Sequence, residues 1–103
     1  MRITFDPSKR DRTWIERGLD FAQASAVFDG DHLTFDDDRR DYGERRLITI
    51  GRLTDRMVVL VWTPRGEARH IISMRKANDR EQRHYEDRLR SEEHTSELQS
   101  PMY

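Results

Sequence analysis

An uninterrupted apolar run, Met57–Trp62, limits the possible folds of this chain more than any other feature. Its residues do not alternate with polar ones, which is typical of a strand that lies inside a sheet and is covered on both faces. Two further runs, Arg45–Gly51 and Ala68–Lys76, flank it across short turn-like gaps. Because short connections make antiparallel neighbours, the three runs predict an antiparallel meander with Met57–Trp62 as its central strand.

Helix-start signals lie on both sides of the meander. In each, an Asp or Asn suited to an N-cap is followed by proline at the first helical position, or by Gln or Glu three residues on. The pairs are Asp6 with Pro7, Asp20 with Gln23, and Asn78 with Glu81. A weak strand, His32–Phe35, precedes the meander. The prediction is an α+β fold, in which an antiparallel sheet of about four strands carries two N-terminal helices and one C-terminal helix.

Apolar residues indicate how these helices pack. The stripe at helical spacing that should face the core consists of Phe21, Ala24, Val27 and Phe28. Trp14 and Trp62 are also expected in the core. The C-terminal helix has a thin apolar stripe, and we expect it to lie on one sheet face through Tyr85 and Leu89.

Charge is abundant but unevenly distributed. Charged residues make up 38% of the sequence, yet the net charge is only −1. Residues 1–44 carry 7 Lys/Arg and 11 Asp/Glu, a balance of −4, whereas residues 45–90 carry 12 and 6, a balance of +6. A local basic surface attracts polyanions even on a nearly neutral protein. The alternative interpretation is that the acidic and basic halves pair with each other within the fold.

The acidic segment Asp36–Glu44 is expected to be a solvated loop. Its three consecutive aspartates do not have the spacing of a calcium-binding loop, so we predict no metal site there. The chain has no cysteine, which excludes disulfides and thiolate metal sites. No cofactor is expected.

The sequences of the two ends of the chain also support predictions. No N-terminal segment resembles a signal peptide and no apolar run approaches the length of a membrane span, which predicts a cytoplasmic protein without membrane contact. Residues 90–100 read RSEEHTSELQS, which resembles the translation of a common sequencing-library adapter. The expected organisation is one domain, residues 1–89, followed by a non-native tail, residues 90–103.

Four blocks together resemble the BrnT family of type II toxin–antitoxin toxins. They are Phe5–Lys9, Gly18–Ala24, Asp38–Arg46 and Ile71–Ala77, which are similar to the family's opening, its G-v-s-F-e-e-A segment, its D-x-R-x-x-Y-G-E-x-R block and its I-I-S-x-R-K-A block. Glu81 and Tyr85 in the following helix extend the resemblance, which covers about residues 3–89. Any one block alone is a weak signal.

The chain departs from the family pattern at two places. Many members have Lys-His-Gly before the second helix, where this chain has Glu16-Arg17-Gly18. Many have Arg-Ile-Ile-Ser, where this chain has His70 before Ile71. Arg69 is adjacent, but a shift of one position on a strand points the side chain to the opposite face.

The resemblance implies a small RelE-like α+β fold and a ribonuclease activity that arrests translation. It also implies a BrnA-like antitoxin with a ribbon–helix–helix DNA-binding domain. The toxin would then reach its operator DNA only through that antitoxin.

Metal-independent RNA cleavage requires three catalytic functions from the side chains of the protein. A base removes the 2′-hydroxyl proton, cations stabilise the charge on the attacked phosphate, and an acid protonates the leaving 5′-oxygen. Arginine suits the second task because its planar fork pairs with phosphate oxygens. The predicted catalytic residues are Glu44, Arg46 and Arg75, with Glu44 either the base or a residue that orients an arginine. The predicted RNA-binding residues are Lys9, Arg65, Arg69, His70, Lys76 and Tyr85. His70 and Tyr85 are also candidates for proton transfer.

The alternative function is a toxin-like module without catalytic activity. Such a protein would act as a co-repressor, or as a domain that binds nucleic acid or another protein. The absence of the Lys-His-Gly histidine favours this alternative.

Overall fold

The computed structural model describes residues 2–89. In chain order the elements are β1 Arg2–Phe5, α1 Pro7–Arg17, a 3₁₀ turn Phe21–Gln23, α2 Ala24–Asp29, β2 His32–Asp36, β3 Leu47–Leu53, β4 Arg56–Arg65, β5 Ala68–Lys76 and α3 Asp79–Leu89. The predicted α+β class is therefore confirmed. The predicted tail, residues 90–103, lies outside the described residues. No helix within residues 2–89 has the length and apolar character to span a membrane.

The sheet has five strands in the order β1-β5-β4-β3-β2. The predicted sheet of about four antiparallel strands is thus incomplete, because β1 joins as a fifth strand and runs parallel to β5, with Thr4 opposite His70. The other three strand pairs are antiparallel. Pairing between β1 and β5 brings together segments at opposite ends of the domain, so no local pattern reveals it.

The predicted central position of the Met57–Trp62 run is confirmed, because β4 has two strands on each side. Successive side chains of β4 enter two different apolar clusters. Val58, Leu60 and Trp62 pack under the N-terminal helices, whereas Met57 and Val59 pack under α3. Both faces of the central strand are therefore covered, which explains why its sequence does not alternate.

The first helix begins and ends as its sequence predicts. Asp6 accepts the backbone N–H of Ser8 at 2.9 Å, and Gly18 ends the helix in the left-handed conformation with φ 69°. However, Trp14 is 58% exposed, so its predicted place in the core is wrong. The physical reason is that α1 buries none of its side chains.

The second predicted helix starts later than expected. Asp20 caps the 3₁₀ turn by accepting the backbone N–H of Ala22, and α2 begins only at Ala24. The carboxylate of Asp20 is also held by Arg10, at 2.7 and 3.0 Å from its two oxygens. The predicted apolar stripe is nevertheless buried, because Phe21, Ala24, Val27 and Phe28 all belong to one core cluster.

The C-terminal helix packs on the other face of the sheet. Asn78 and Glu81 form the predicted reciprocal cap, with hydrogen bonds of 2.9 and 2.8 Å. Tyr85 stacks on Phe35 with ring centroids 6.3 Å apart, and Leu89 is buried in the same cluster. The predicted contacts of Tyr85 and Leu89 with the sheet are therefore confirmed.

Candidate functional site

Part of the sheet face that carries α3 is left uncovered by that helix. Beyond the apolar cluster under α3, this face displays Thr4 on β1, His70 on β5, Arg65 on β4 and Arg46 just before β3. Side chains of directly opposed residues lie on the same face, and Thr4, His70 and Thr63 are opposed in register. We call this region, defined by Thr4, Arg46, Arg65 and His70, the open end of the sheet.

An irregularity in the strand pairing decides which side chains reach the open end. The register between β4 and β5 shifts between Val61 and Trp62, so that Val61 faces Ser73 but Trp62 faces Ile71. The extra residue reverses the alternation in the rest of β5. His70 consequently lies opposite Thr63 on the face of the open end, while Arg69 lies opposite Pro64 on the other face.

The loop between β2 and β3 is fixed by a buried aspartate. The backbone N–H of Asp37 donates to the carbonyl of Arg46 at 2.8 Å, which closes the loop. The Asp37 side chain is 0% exposed and accepts two 2.7 Å hydrogen bonds from the guanidinium of Arg39. The Arg39 guanidinium lowers the pKa of Asp37 below its ordinary value, and Tyr42 contributes a smaller effect in the same direction. The prediction of a solvated loop is therefore wrong at Asp37.

The same loop places three charged groups together. Glu44 lies between two guanidiniums, 3.3 Å from Arg46 and 4.0 Å from Arg65. The guanidinium of Arg46 also stacks on the ring of Tyr42, 4.1 Å from its centroid, and Arg40 lies 5.3 Å from that centroid. The contact with the Tyr42 ring and the ion pair with Glu44 both restrain the orientation of the Arg46 guanidinium.

His70 lies beside this charged group. Its Nδ1 is 2.9 Å from the hydroxyl oxygen of Thr4. Burial of the imidazole is the main cause that lowers the pKa of His70 below its ordinary value of 6.5, and the positive charges of Arg65 and Lys9 act in the same direction. Glu44 and Asp6 act in the opposite direction. Lys9 and Glu44 therefore both contribute to the electrostatic environment of the imidazole.

Five of the predicted site residues thus share one end of the sheet. Glu44 and Arg46 are in contact, Arg65 and His70 lie on the same face, and Lys9 is within electrostatic reach of His70. Their charges are mostly positive, with one carboxylate and one imidazole among them. An arrangement of this kind can bind a phosphate and move a proton.

The other predicted site residues lie elsewhere. The guanidinium of Arg69 stacks on Phe28 on the opposite sheet face, 3.9 Å from the ring centroid. Arg75 forms an ion pair with Glu81. It lies five residues along β5 from His70, which corresponds to about 16 Å of extended strand. The remaining two residues are Lys76, exposed at the end of β5, and Tyr85, stacked on Phe35.

Three residues of this region were missed by the sequence analysis, namely Thr4, Asp37 and Tyr42. A signal for Asp37 was present, because the ten-position pattern D-x-R-x-x-Y-G-E-x-R fits when Asp37, not Asp38, takes its first position. The pairing of Asp37 with Arg39 supports that correction. Thr4 carries no such signal, since its contact with His70 depends on the parallel pairing of β1 with β5.

Arg17 occupies the position at which many family members have the histidine of Lys-His-Gly, and it makes a structural contact. Arg17 donates to the backbone carbonyl of Met74 at 2.9 Å and so links the end of α1 to β5. Within residues 2–89, no group of three or more His, Asp or Glu side chains is arranged to hold a metal ion.

The molecule is a small α+β domain whose open end carries arginines, a carboxylate and an imidazole. In a comparison with protein-family models, the model for the ribonuclease toxin BrnT of type II toxin–antitoxin systems matches residues 5–81. The chain belongs to this family of ribonuclease toxins. No curated protein matched the chain. The family assignment does not favour the alternative of an inactive binding module.

Proposed function

We propose that this toxin cleaves RNA without a metal ion and thereby inhibits translation, and that its site is the open end of the sheet. The observation that carries the proposal is the position of Glu44 between Arg46 and Arg65. Two guanidiniums around one carboxylate mark a point where an anion is stabilised. An RNA phosphate bound by the same two arginines would gain most stabilisation as its charge increases during cleavage.

Tyr42, Glu44 and Lys9 each have a defined role in this proposal. Tyr42 holds the plane of Arg46, and Glu44 orients Arg46 and Arg65 toward each other. Lys9 adds positive charge near His70 and is suited to a neighbouring phosphate of the RNA. We retain Arg75, Lys76, Arg69 and Tyr85 as candidates for contacts with RNA farther from the open end.

The test is cleavage of RNA, both free and ribosome-bound, by purified toxin in EDTA. We expect cleavage by the parent protein and at least a tenfold loss in Arg46→Ala. The matched control is Arg56→Ala, which removes an exposed arginine at the other end of β4. Absence of cleavage of both substrates would contradict the proposal. Salt-sensitive binding without strand scission would instead identify a non-enzymatic binding module.

We further propose that the toxin acts in the cytoplasm with a BrnA-like antitoxin that carries a ribbon–helix–helix domain. Membership of a type II toxin–antitoxin family implies an antitoxin partner. In this proposal the toxin reaches operator DNA only through the antitoxin. A gel-shift experiment on the promoter fragment should show binding by the complex but not by the toxin alone. Binding of the promoter by the isolated toxin would contradict this assignment.

A further inference from the structure

We propose that His70 is the residue that removes the 2′-hydroxyl proton of the RNA, and that Thr4 positions its imidazole. This inference rests on the proposed function and adds the identity of the general base. It follows from the position of His70 on the open end, next to the arginines that would bind the phosphate, and from the short contact with Thr4.

The other histidines of the described part of the chain are not suitably placed. His32 contacts the carbonyl of Gly30 at 2.8 Å and packs against Phe28, a residue of the core on the opposite sheet face. His84 is exposed on α3 and packs edge-on against Tyr85. Between residues 2 and 89, therefore, His70 alone combines an imidazole with neighbouring Arg65 and Glu44.

Glu44 is less suited than His70 to be the base. Its two carboxylate oxygens already face Arg46 and Arg65. A carboxylate in that position orients the cations that bind the phosphate, and proton removal would disrupt the arrangement. The division of roles is therefore Glu44 for positioning and His70 for proton transfer.

The surroundings of His70 lower the pKa of its imidazole and so favour the neutral form. The charged groups that face it are Asp6 and Lys9 at the start of α1, Glu44 in the loop and Arg65 on β4, and burial of the ring adds to the effect of the two cations. A lowered pKa favours the neutral form, which is the form that accepts a proton.

The contact with Thr4 determines which ring nitrogen reacts. When Nδ1–H donates to the Thr4 hydroxyl oxygen, Nε2 keeps its lone pair. Nε2 then takes the 2′-hydroxyl proton, the 2′-oxygen forms a bond to phosphorus, and the bond from phosphorus to the 5′-oxygen breaks. Water protonates the 5′-oxygen, and the resulting hydroxide takes the proton from His70. The products are a 2′,3′-cyclic phosphate and a 5′-hydroxyl.

The first experiment compares His70→Gln with the matched control His84→Gln on a short RNA oligonucleotide. Because general base catalysis contributes about 10²–10⁴-fold, we expect the rate in His70→Gln to fall by about that factor. RNA binding, followed by fluorescence anisotropy, should stay within about threefold of the parent protein, and His84→Gln should cleave normally. A folded His70→Gln variant with the parent rate would overturn the inference.

A second experiment separates proton transfer from a structural role. Added imidazole should restore cleavage to His70→Gly and leave Arg46→Ala unaffected. Failure of imidazole to restore cleavage in a folded His70→Gly variant that still binds RNA would contradict the assignment of His70 as the base.

The pH dependence tests the role of Thr4. The cleavage rate of the parent protein should rise with pH and level off above the pKa of His70, because the base acts in its neutral form. Thr4→Val removes the hydroxyl and should move the midpoint of this profile. Thr4→Ser keeps the hydroxyl and should have the midpoint of the parent protein. Identical profiles for the parent and Thr4→Val would remove Thr4 from the proposal.

The results also distinguish this inference from the proposed function. If the parent protein cleaves no RNA, both are wrong. If the parent cleaves, Arg46→Ala is inactive and His70→Gln is fully active, only the inference about His70 is wrong.

Discussion

Arg75 and Glu81 form a two-point ion pair in which both N–O distances are 2.8 Å. The same carboxylate accepts the backbone N–H of Asn78 at 2.9 Å. One glutamate therefore caps α3 and attaches that helix to β5. Arg75 is one of the predicted catalytic residues, but this arrangement also gives it a structural role. A functional test must therefore distinguish a loss of catalysis from a loss of this structural contact.

A pair of alanine variants makes that separation. Glu81→Ala should lower the free energy of unfolding by about 1–2 kcal/mol, because it removes both the cap and the ion pair. Arg75→Ala removes only the partly exposed ion pair and should cost about 1 kcal/mol or less. If Arg75 also contacts RNA, Arg75→Ala will lose cleavage activity that Glu81→Ala keeps. Equal cleavage rates in the two folded variants would limit Arg75 to attaching the helix.

Replacing Tyr42 tests whether the ring that contacts Arg46 matters for RNA binding. Tyr42→Leu removes the ring on which Arg46 stacks, and a cation–π contact at such a site is worth about 0.5–1 kcal/mol. We expect RNA affinity to fall by about two- to fivefold in Tyr42→Leu, and less in Tyr42→Phe, which keeps the ring. Fluorescence anisotropy with labelled RNA measures both. A larger loss in Tyr42→Phe would show that the hydroxyl, rather than the ring, matters.

Asp37→Asn tests the buried carboxylate that fixes the loop. Asparagine cannot form the ion pair with Arg39, so the free energy of unfolding at pH 7 should fall by about 1–3 kcal/mol. Because the pKa of Asp37 is lowered in the folded state, the stabilisation is present above pH 4 and is lost as the pH falls through the folded-state pKa. Denaturation at several pH values should show the two proteins converging in acid. A difference that does not depend on pH would contradict this origin.

Thr54 should be replaceable by glycine with a gain in stability. Among residues 2–89 it is the only non-glycine residue with positive φ, 61°, and it lies in the two-residue turn between β3 and β4. Since β-branched residues are strained in this conformation, Thr54→Gly should raise the free energy of unfolding by about 0.5–1 kcal/mol. Asp55→Gly is the control and should lower stability, because it adds freedom to the unfolded chain without relieving strain.

Gly51 should not tolerate a larger side chain. A Cβ atom at this position would lie 2.7 Å from Cγ1 of the buried Val27 and 3.1 Å from Cβ of His32. Gly51→Ala should therefore cost about 1–3 kcal/mol through overpacking between α2 and β3. Gly30→Ala is the control, since the nearest atom there is 3.8 Å away. Similar denaturation midpoints for the two variants would show that α2 can shift to accommodate the added methyl group without loss of stability.

Local sequence patterns predicted the parts of the fold that depend on neighbouring residues. The central position of Met57–Trp62, the start of α1 at Asp6 and the cap of α3 at Asn78 all follow from short stretches of chain. The pairing of β1 with β5 does not, because it joins distant segments. The prediction that Trp14 is buried was wrong because burial also depends on distant parts of the chain. Aromatic character alone does not show which helix lies at the edge of a domain.

The candidate site was predictable to a similar extent. Glu44 and Arg46 are close in sequence and are also close in space. Their proximity to Arg65 follows from the antiparallel pairing of β3 with β4. The position of His70 on the same face depends on the register shift between β4 and β5 at Val61 and Trp62, which no pattern in the strand sequences reveals. That single irregularity decides whether His70 or Arg69 shares the face of the open end.

The contact between Thr4 and His70 joins residues that are 66 positions apart. Closing a loop of this length costs conformational entropy, and non-local pairings of this kind slow folding. A ribosome-bound chain that has not yet exposed β5 therefore lacks this pair, even though β1 and the loop between β2 and β3 have already been made. The order of synthesis thus delays completion of the open end of the sheet until nearly the whole domain has emerged.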